Sequence, residues 1–107
     1  MKLSNIKDFT KGWFVGNFEP SLIKTNDVEV GYKEYKQGDK ESRHYHKIAT
    51  EITVIIKGEV LMNNIKYKQG SVIEIPAGEV TNFECLLDAK TLVVKYPGAS
   101  NDKYEVD

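Results

Sequence analysis

The sequence predicts an all-β domain, an antiparallel double-sheet β-barrel or jelly roll. Three observations carry that prediction. Glycines recur at 12, 16, 31, 38, 58, 70, 78 and 98, punctuating the chain at turn-like intervals. Between them lie short segments rich in Val, Ile, Thr and Tyr, which suit a pleated, half-buried backbone. No stretch carries an apolar i, i+3, i+4, i+7 stripe of helical length with caps at both ends.

Each element follows from local chemistry. Residues 28–36 form the first strand, closed by a turn at Gly38-Asp39. Residues 43–47 form a short strand, and 51–57 the next, ending at Gly58. Residues 59–62 and 65–68 flank Asn63-Asn64, a pair that tolerates positive φ and suits a two-residue hairpin turn. Gln69-Gly70 turns the chain into a strand over 71–75. Pro76-Ala77-Gly78 then breaks the ladder, because Pro has no N–H to donate. Residues 80–87 and 91–96 complete the set, with Asp88-Ala89 as the turn between them. The barrel thus covers residues 27–98. Residues 1–26 carry Trp13, Phe14, Phe18, Leu22 and Ile23, enough apolar surface to pack on the barrel or on a neighbouring subunit. Trp13-Phe14 reads as a docking pair rather than a ligand-binding one. Residues 99–107 read as a polar tail that frays.

Composition narrows the function. A length of 107 residues allows one domain. Lys and Arg total 15 against 16 Asp and Glu, so no strong field steers the chain to nucleic acid or an anionic membrane. The single cysteine, Cys85, permits no internal disulfide and fits a reducing, cytoplasmic setting. The N-terminus has no apolar stretch of signal-peptide length, and no run approaches the roughly 20 apolar residues of a membrane span.

The informative constellation is built on the only two histidines, His44 and His46. One residue apart in a strand, their imidazoles project to the same face. The full string is Gly38-x5-His44-x-His46-x4-Glu51-x6-Gly58. Two neutral imidazoles and a carboxylate converging from adjacent strands suit a borderline divalent metal. The plain alternative is a hydrogen-bonded pair of strand histidines and a strand-end carboxylate facing water. Thr81, Phe83 and Cys85 alternate on one later strand, so if Thr81 faces the site then Phe83 and Cys85 point inward too. Phe83 is either core or pocket wall. Cys85 lies roughly 13 Å along the strand from Thr81, too far to share a ligand set. Thr53 and Ile55 share the face of Glu51 and line the barrel, which leaves Ile52, Val54 and Ile56 outside and in need of cover. A homodimer would supply it. Arg43, the only arginine, turns away from the histidines; Lys57 and Lys95 are candidates for an anion at the rim.

On these residues the sequence resembles the cupin family. Its first motif matches residue by residue from Gly38 to Gly58. Its second motif keeps its frame as Gly70-x5-Pro76-x-Gly78, but Thr81 stands in place of the expected histidine and Cys85 in place of the expected asparagine. The resemblance implies a small barrel with a divalent metal (Fe, Mn, Ni or Zn) in its mouth, held by His44, His46 and Glu51, with Thr53, Thr81 and Phe83 in the substrate pocket. The missing fourth ligand leaves three outcomes. The remaining triad binds alone with three open positions, as in two-His-one-carboxylate iron sites. A water on Thr81 substitutes. Or the metal is gone and the histidines act as acid, base or hydrogen-bond donor.

Three function classes follow. One is a metal-dependent oxygenase, isomerase or lyase acting on a small polar, sugar- or acid-like substrate. The second is a metal-free cupin that binds or isomerises a sugar or nucleotide-sugar. The third is a non-catalytic ligand-binding module.

Overall fold

The computed structural model describes residues 1–107. Its strands are β1 (Trp13–Val15), β2 (Glu29–Tyr35), β3 (Lys40–His46), β4 (Thr50–Met62), β5 (Ile65–Lys68), β6 (Val72–Ile75), β7 (Thr81–Tyr96) and β8 (Lys103–Glu105). All strand pairs are antiparallel. Strands follow the order β1-β2-β7-β3-β8, while β4 pairs with β5, β6 and β7. No helix is long and apolar enough to cross a membrane.

Two long strands organise the fold. β4 and β7 pair from Thr50↔Tyr96 to Leu61↔Glu84. The sequence reading splits each of them, at Gly58 and at Asp88-Ala89, yet both run through. Register shifts between Ile55 and Val60 bend the pair instead of ending it. Gly58 makes the bend possible: its φ is +89°, and an added Cβ would overlap the Asp88 carbonyl oxygen and stand 2.8 Å from Ala89 Cα. The sheet therefore folds on itself. β1, β2, β6 and residues 50–56 of β4 and 90–96 of β7 form one layer, and β3, β5, β8 and residues 59–62 of β4 and 81–87 of β7 the other.

The folded end is closed by an apolar cluster of Ile55, Val60, Met62, Ile75, Phe83, Cys85 and Ala89. Cys85 packs there and donates its S–H to the Leu87 carbonyl at 3.1 Å. The hairpin at Asn63-Asn64 forms as expected, with φ of 48° and 65°.

Both chain ends join the barrel. Two 3-10 turns, Ile6–Asp8 and Thr10–Gly12, lead into β1. There Trp13 pairs with Gly31, and its indole fills the space where a side chain at Gly31 would stand, 2.7 Å from an added Cβ. The polar tail expected over 99–107 is corrected: β8 pairs with β3 through His44↔Glu105, Tyr45↔Tyr104 and His46↔Lys103. Tyr104 stacks on Tyr45 at 5.3 Å, and Asp102 is 5% exposed. Asp102 is buried because its carboxylate accepts the backbone N–H groups of Lys47 (3.0 Å), Ile48 (3.1 and 3.2 Å) and Ala49 (3.0 Å).

The outer face of the first sheet is apolar. Val30, Val94 and Ile52 form one cross-strand row, which ends at the exposed Glu74, and Tyr32, Leu92, Val54 and Val72 form the next. Most are half-buried, while Val72 is exposed.

Candidate ligand cavity

The open end of the barrel holds a cavity of about 220 Å³. Strand alternation builds it. β3 contributes Glu41, His44 and His46; β4 contributes Glu51 and Thr53. β7 contributes Thr81 and Phe83 from one half and Thr91, Val93 and Lys95 from the other. Lys33 and Tyr35 enter from β2, Trp13 from β1 and Lys103 from β8. All three expected metal ligands and all three expected pocket residues thus line one space.

The two imidazoles stand edge to face, with ring centroids 5.6 Å apart. His44 Nδ1 lies 2.9 Å from the Ser42 carbonyl oxygen. A carbonyl accepts only, so Nδ1 carries a proton and donates it there, which leaves Nε2 as the ring nitrogen turned to other partners. His46 is 7% exposed, and its Nε2 is buried with no partner. Burial first, then the positive charge of Lys95, pushes its pKa down to about 4. His46 is therefore neutral at physiological pH. The Thr91 hydroxyl is likewise buried without a partner. Glu51 Oε2 accepts from the Thr53 hydroxyl at 2.8 Å. Tyr35 donates to Glu41 Oε2 at 2.9 Å and packs tilted against Phe83, with ring centroids 4.4 Å apart. Burial and the adjacent Glu41 raise the Tyr35 pKa, keeping it a phenol.

Two atoms fit a metal: the unpartnered Nε2 of His46 and the free Nε2 of His44 are what imidazole ligation requires. The third donor does not join them. No group of three His, Cys, Asp or Glu side chains stands close enough together to hold an ion. Lys33, Lys95 and Lys103 add positive charge to the same lining, which opposes a dication. The residues as assembled do not form a metal centre.

Several cavity residues escape the sequence reading. Thr91 was findable: positions 81, 83, 85, 89, 91, 93 and 95 share one parity, and β7 keeps it through the assumed turn. Trp13, expected to dock only, lines the cavity as well. Trp13 and Lys103 carry no such signal, because their place depends on pairings between distant segments. Of the two rim lysines considered, Lys95 lines the cavity and Lys57 does not. Arg43 is exposed and donates to the Asp107 carbonyl at 3.1 Å, away from the site.

No family model and no curated sequence matches the chain. Solved structures do. An uncharacterised protein with a double-stranded β-helix domain from Klebsiella pneumoniae subsp. pneumoniae MGH 78578 has 19% identity and a TM-score of 0.71, over 100% of this chain and 98% of that one. An RmlC-like cupin from Shewanella frigidimarina NCIMB 400 has 15% identity and a TM-score of 0.65, over 73% and 72% of the two chains. The Bacillus subtilis oxalate decarboxylase, which has Mn(II) centres, has 18% identity and a TM-score of 0.67, over 77% of this chain and 25% of that one. These likenesses establish the fold, that of a small cupin-type, double-stranded β-helix barrel.

Proposed function

We propose that the barrel binds a small polar organic molecule, sugar- or acid-like, with its polar end at His44 and His46. The observation that carries this reading is the pair of buried, partnerless polar atoms, His46 Nε2 and Thr91 Oγ1, on side chains lining one cavity. Each such atom costs about 1–3 kcal/mol while unpaired. A ligand that supplies the missing partners recovers that cost, and one without polar groups does not. Glu51, Thr53 and Thr81 complete the polar wall, and Phe83 gives an apolar side. Neutral His46 then serves as a hydrogen-bond partner rather than a charge.

The test is a thermal-melt screen with neutral sugars, sugar acids, dicarboxylates and nucleotide-sugars. At least one class should raise the melting temperature, since binding to the native state stabilises it by mass action. His46→Gln should weaken that ligand about tenfold, as one buried hydrogen bond is lost. No shift from any class overturns the reading. Turnover of the bound ligand would separate an enzyme from a binding module.

A second reading rests on the two free imidazole nitrogens: a divalent metal (Fe, Mn, Ni or Zn) drawing Glu51 to His44 and His46 on binding. Metal content of protein purified without chelators decides it. About one ion per chain, lost in His44→Ala, supports a metal site; none after incubation with each ion removes it.

We further propose a cytoplasmic homodimer, the compartment on the single unpaired Cys85. The apolar residues of the outer sheet face, Val30, Val94, Ile52, Tyr32, Leu92, Val54 and the exposed Val72, support the dimer. Light scattering should give twice the 12.2 kDa chain mass, falling to one chain in Val54→Lys. A wild-type monomer would count against it.

A further inference from the structure

Three lysines crowd the mouth of the cavity without carboxylate partners. Lys33 Nζ stands 4.7 Å and Lys95 Nζ 4.9 Å from the Trp13 ring. Lys103 lines the same cavity. The ion pairs of the chain are Lys24–Glu19, Lys36–Asp88 and Lys66–Glu59, all elsewhere. The chain has 16 carboxylate side chains for 15 basic ones, so this local excess is an arrangement rather than a matter of composition. The nearby carboxylates are engaged: Glu41 by Tyr35, Glu51 by Thr53 and Asp102 by the backbone of residues 47–49.

Trp13, Lys95 and Lys103 also line a second, outer cavity of about 490 Å³. These three residues therefore form the wall shared by an outer vestibule and the inner cavity. Of the vestibule's acidic groups, Glu19 is paired with Lys24, Asp102 is buried, and Glu29 remains on its wall.

We propose that Lys33 and Lys95, packed on Trp13, together with Lys103 of the same lining, hold an anionic group, a carboxylate or a phosphate, of the molecule whose polar end reaches the histidines. This rests on the polar-ligand reading and narrows it to organic acids and phosphate esters. Ammonium groups make short, strong hydrogen bonds to anionic oxygens. Contact with the indole, joined for Lys33 by a 2.8 Å hydrogen bond to the Lys11 carbonyl oxygen, holds two of the flexible side chains in place before any ligand arrives.

Trp13 is the only tryptophan, so its fluorescence reports on this doorway alone. Citrate and glucose 6-phosphate are the probes, with uncharged glucose as control. Both anions should shift Trp13 emission saturably and lose affinity in added salt. Lys95→Met with Lys103→Met should weaken both by about 100-fold, tenfold for each lost charge-assisted bond, while Lys95→Arg retains binding. Iodide should quench wild-type Trp13 beyond what neutral acrylamide does, and the double variant should lose that advantage. Unchanged melting curves confirm that the variants fold. Equal iodide quenching in wild type and double variant overturns the proposal, as does undiminished anion binding by the double variant. Glucose binding without anion binding leaves the polar-ligand reading standing and removes the lysine site. Lysine-dependent anion binding that His46→Gln does not alter does the reverse.

Discussion

Asp102→Ala is expected to destabilise the protein by about 3 kcal/mol, lowering its melting temperature by roughly 15 °C. The Asp102 carboxylate collects the N–H groups of three successive residues, 47–49, across 53 to 55 positions of sequence. Those residues are the loop between His46 and Glu51, so the carboxylate fixes the separation of the histidine strand from the strand that bears Glu51. Alanine removes charged hydrogen bonds and strands the buried Ala49 N–H. The variant should therefore lose ligand affinity as well as stability, even though Asp102 does not line the inner cavity. Acid should mimic it. Burial pushes the Asp102 carboxyl up, but the three backbone N–H groups outweigh burial and hold it below its ordinary 3.8. A depressed carboxyl contributes stability above its unfolded value, and that contribution fades as pH falls below about 3.8. Thermal melts of wild type and Asp102→Ala should converge at low pH. A difference that persists there, or a change under 1 kcal/mol at neutral pH (about a third of the expected loss), would contradict the assignment.

Gly58→Ala should cost about as much, on the order of 3–4 kcal/mol, from two sources. The left-handed backbone at φ +89° disfavours any side chain by about 1–2 kcal/mol. The added methyl group would also collide with the backbone at Asp88 and Ala89, which flexible side chains cannot relieve. Gly38→Ala is the control. Its φ is +93°, but nothing lies within 4 Å of an added Cβ, so it carries only the conformational cost. Chemical denaturation of the two variants should separate them by about 2 kcal/mol. Equal losses would mean that Gly58 serves only its own backbone angle.

The comparison explains which parts of the structure were legible. The histidine pair, Glu51 and Thr53 were readable because period-two alternation within one strand needs no tertiary knowledge. The hairpin at Asn63-Asn64 was readable because its φ values follow from residue chemistry. Gly58 and Asp88-Ala89 misled for a shared reason: each has turn composition, but they lie opposite one another and make a single bend in a continuous strand pair. Bend and chain reversal look alike in local sequence. Asp102, Lys103 and Trp13 were illegible because their positions come from pairings with strands far along the chain. Nothing near them announces the partner.

The apolar cluster at the folded end has a consequence for how the protein can change. Ile55, Val60, Ile75, Cys85 and Ala89 of the cluster lie outside the cavity lining; Met62 and Phe83 belong to both, Tyr35 packs on the cluster from the lining, and Ile55 pairs with the lining residue Thr91. Substitutions at the mouth can therefore accumulate without eroding the packing that keeps the chain folded. Ligand preference is free to drift between lineages while the architecture stays fixed, and Met62, Phe83, Tyr35 and Thr91 are the places where such drift would be resisted.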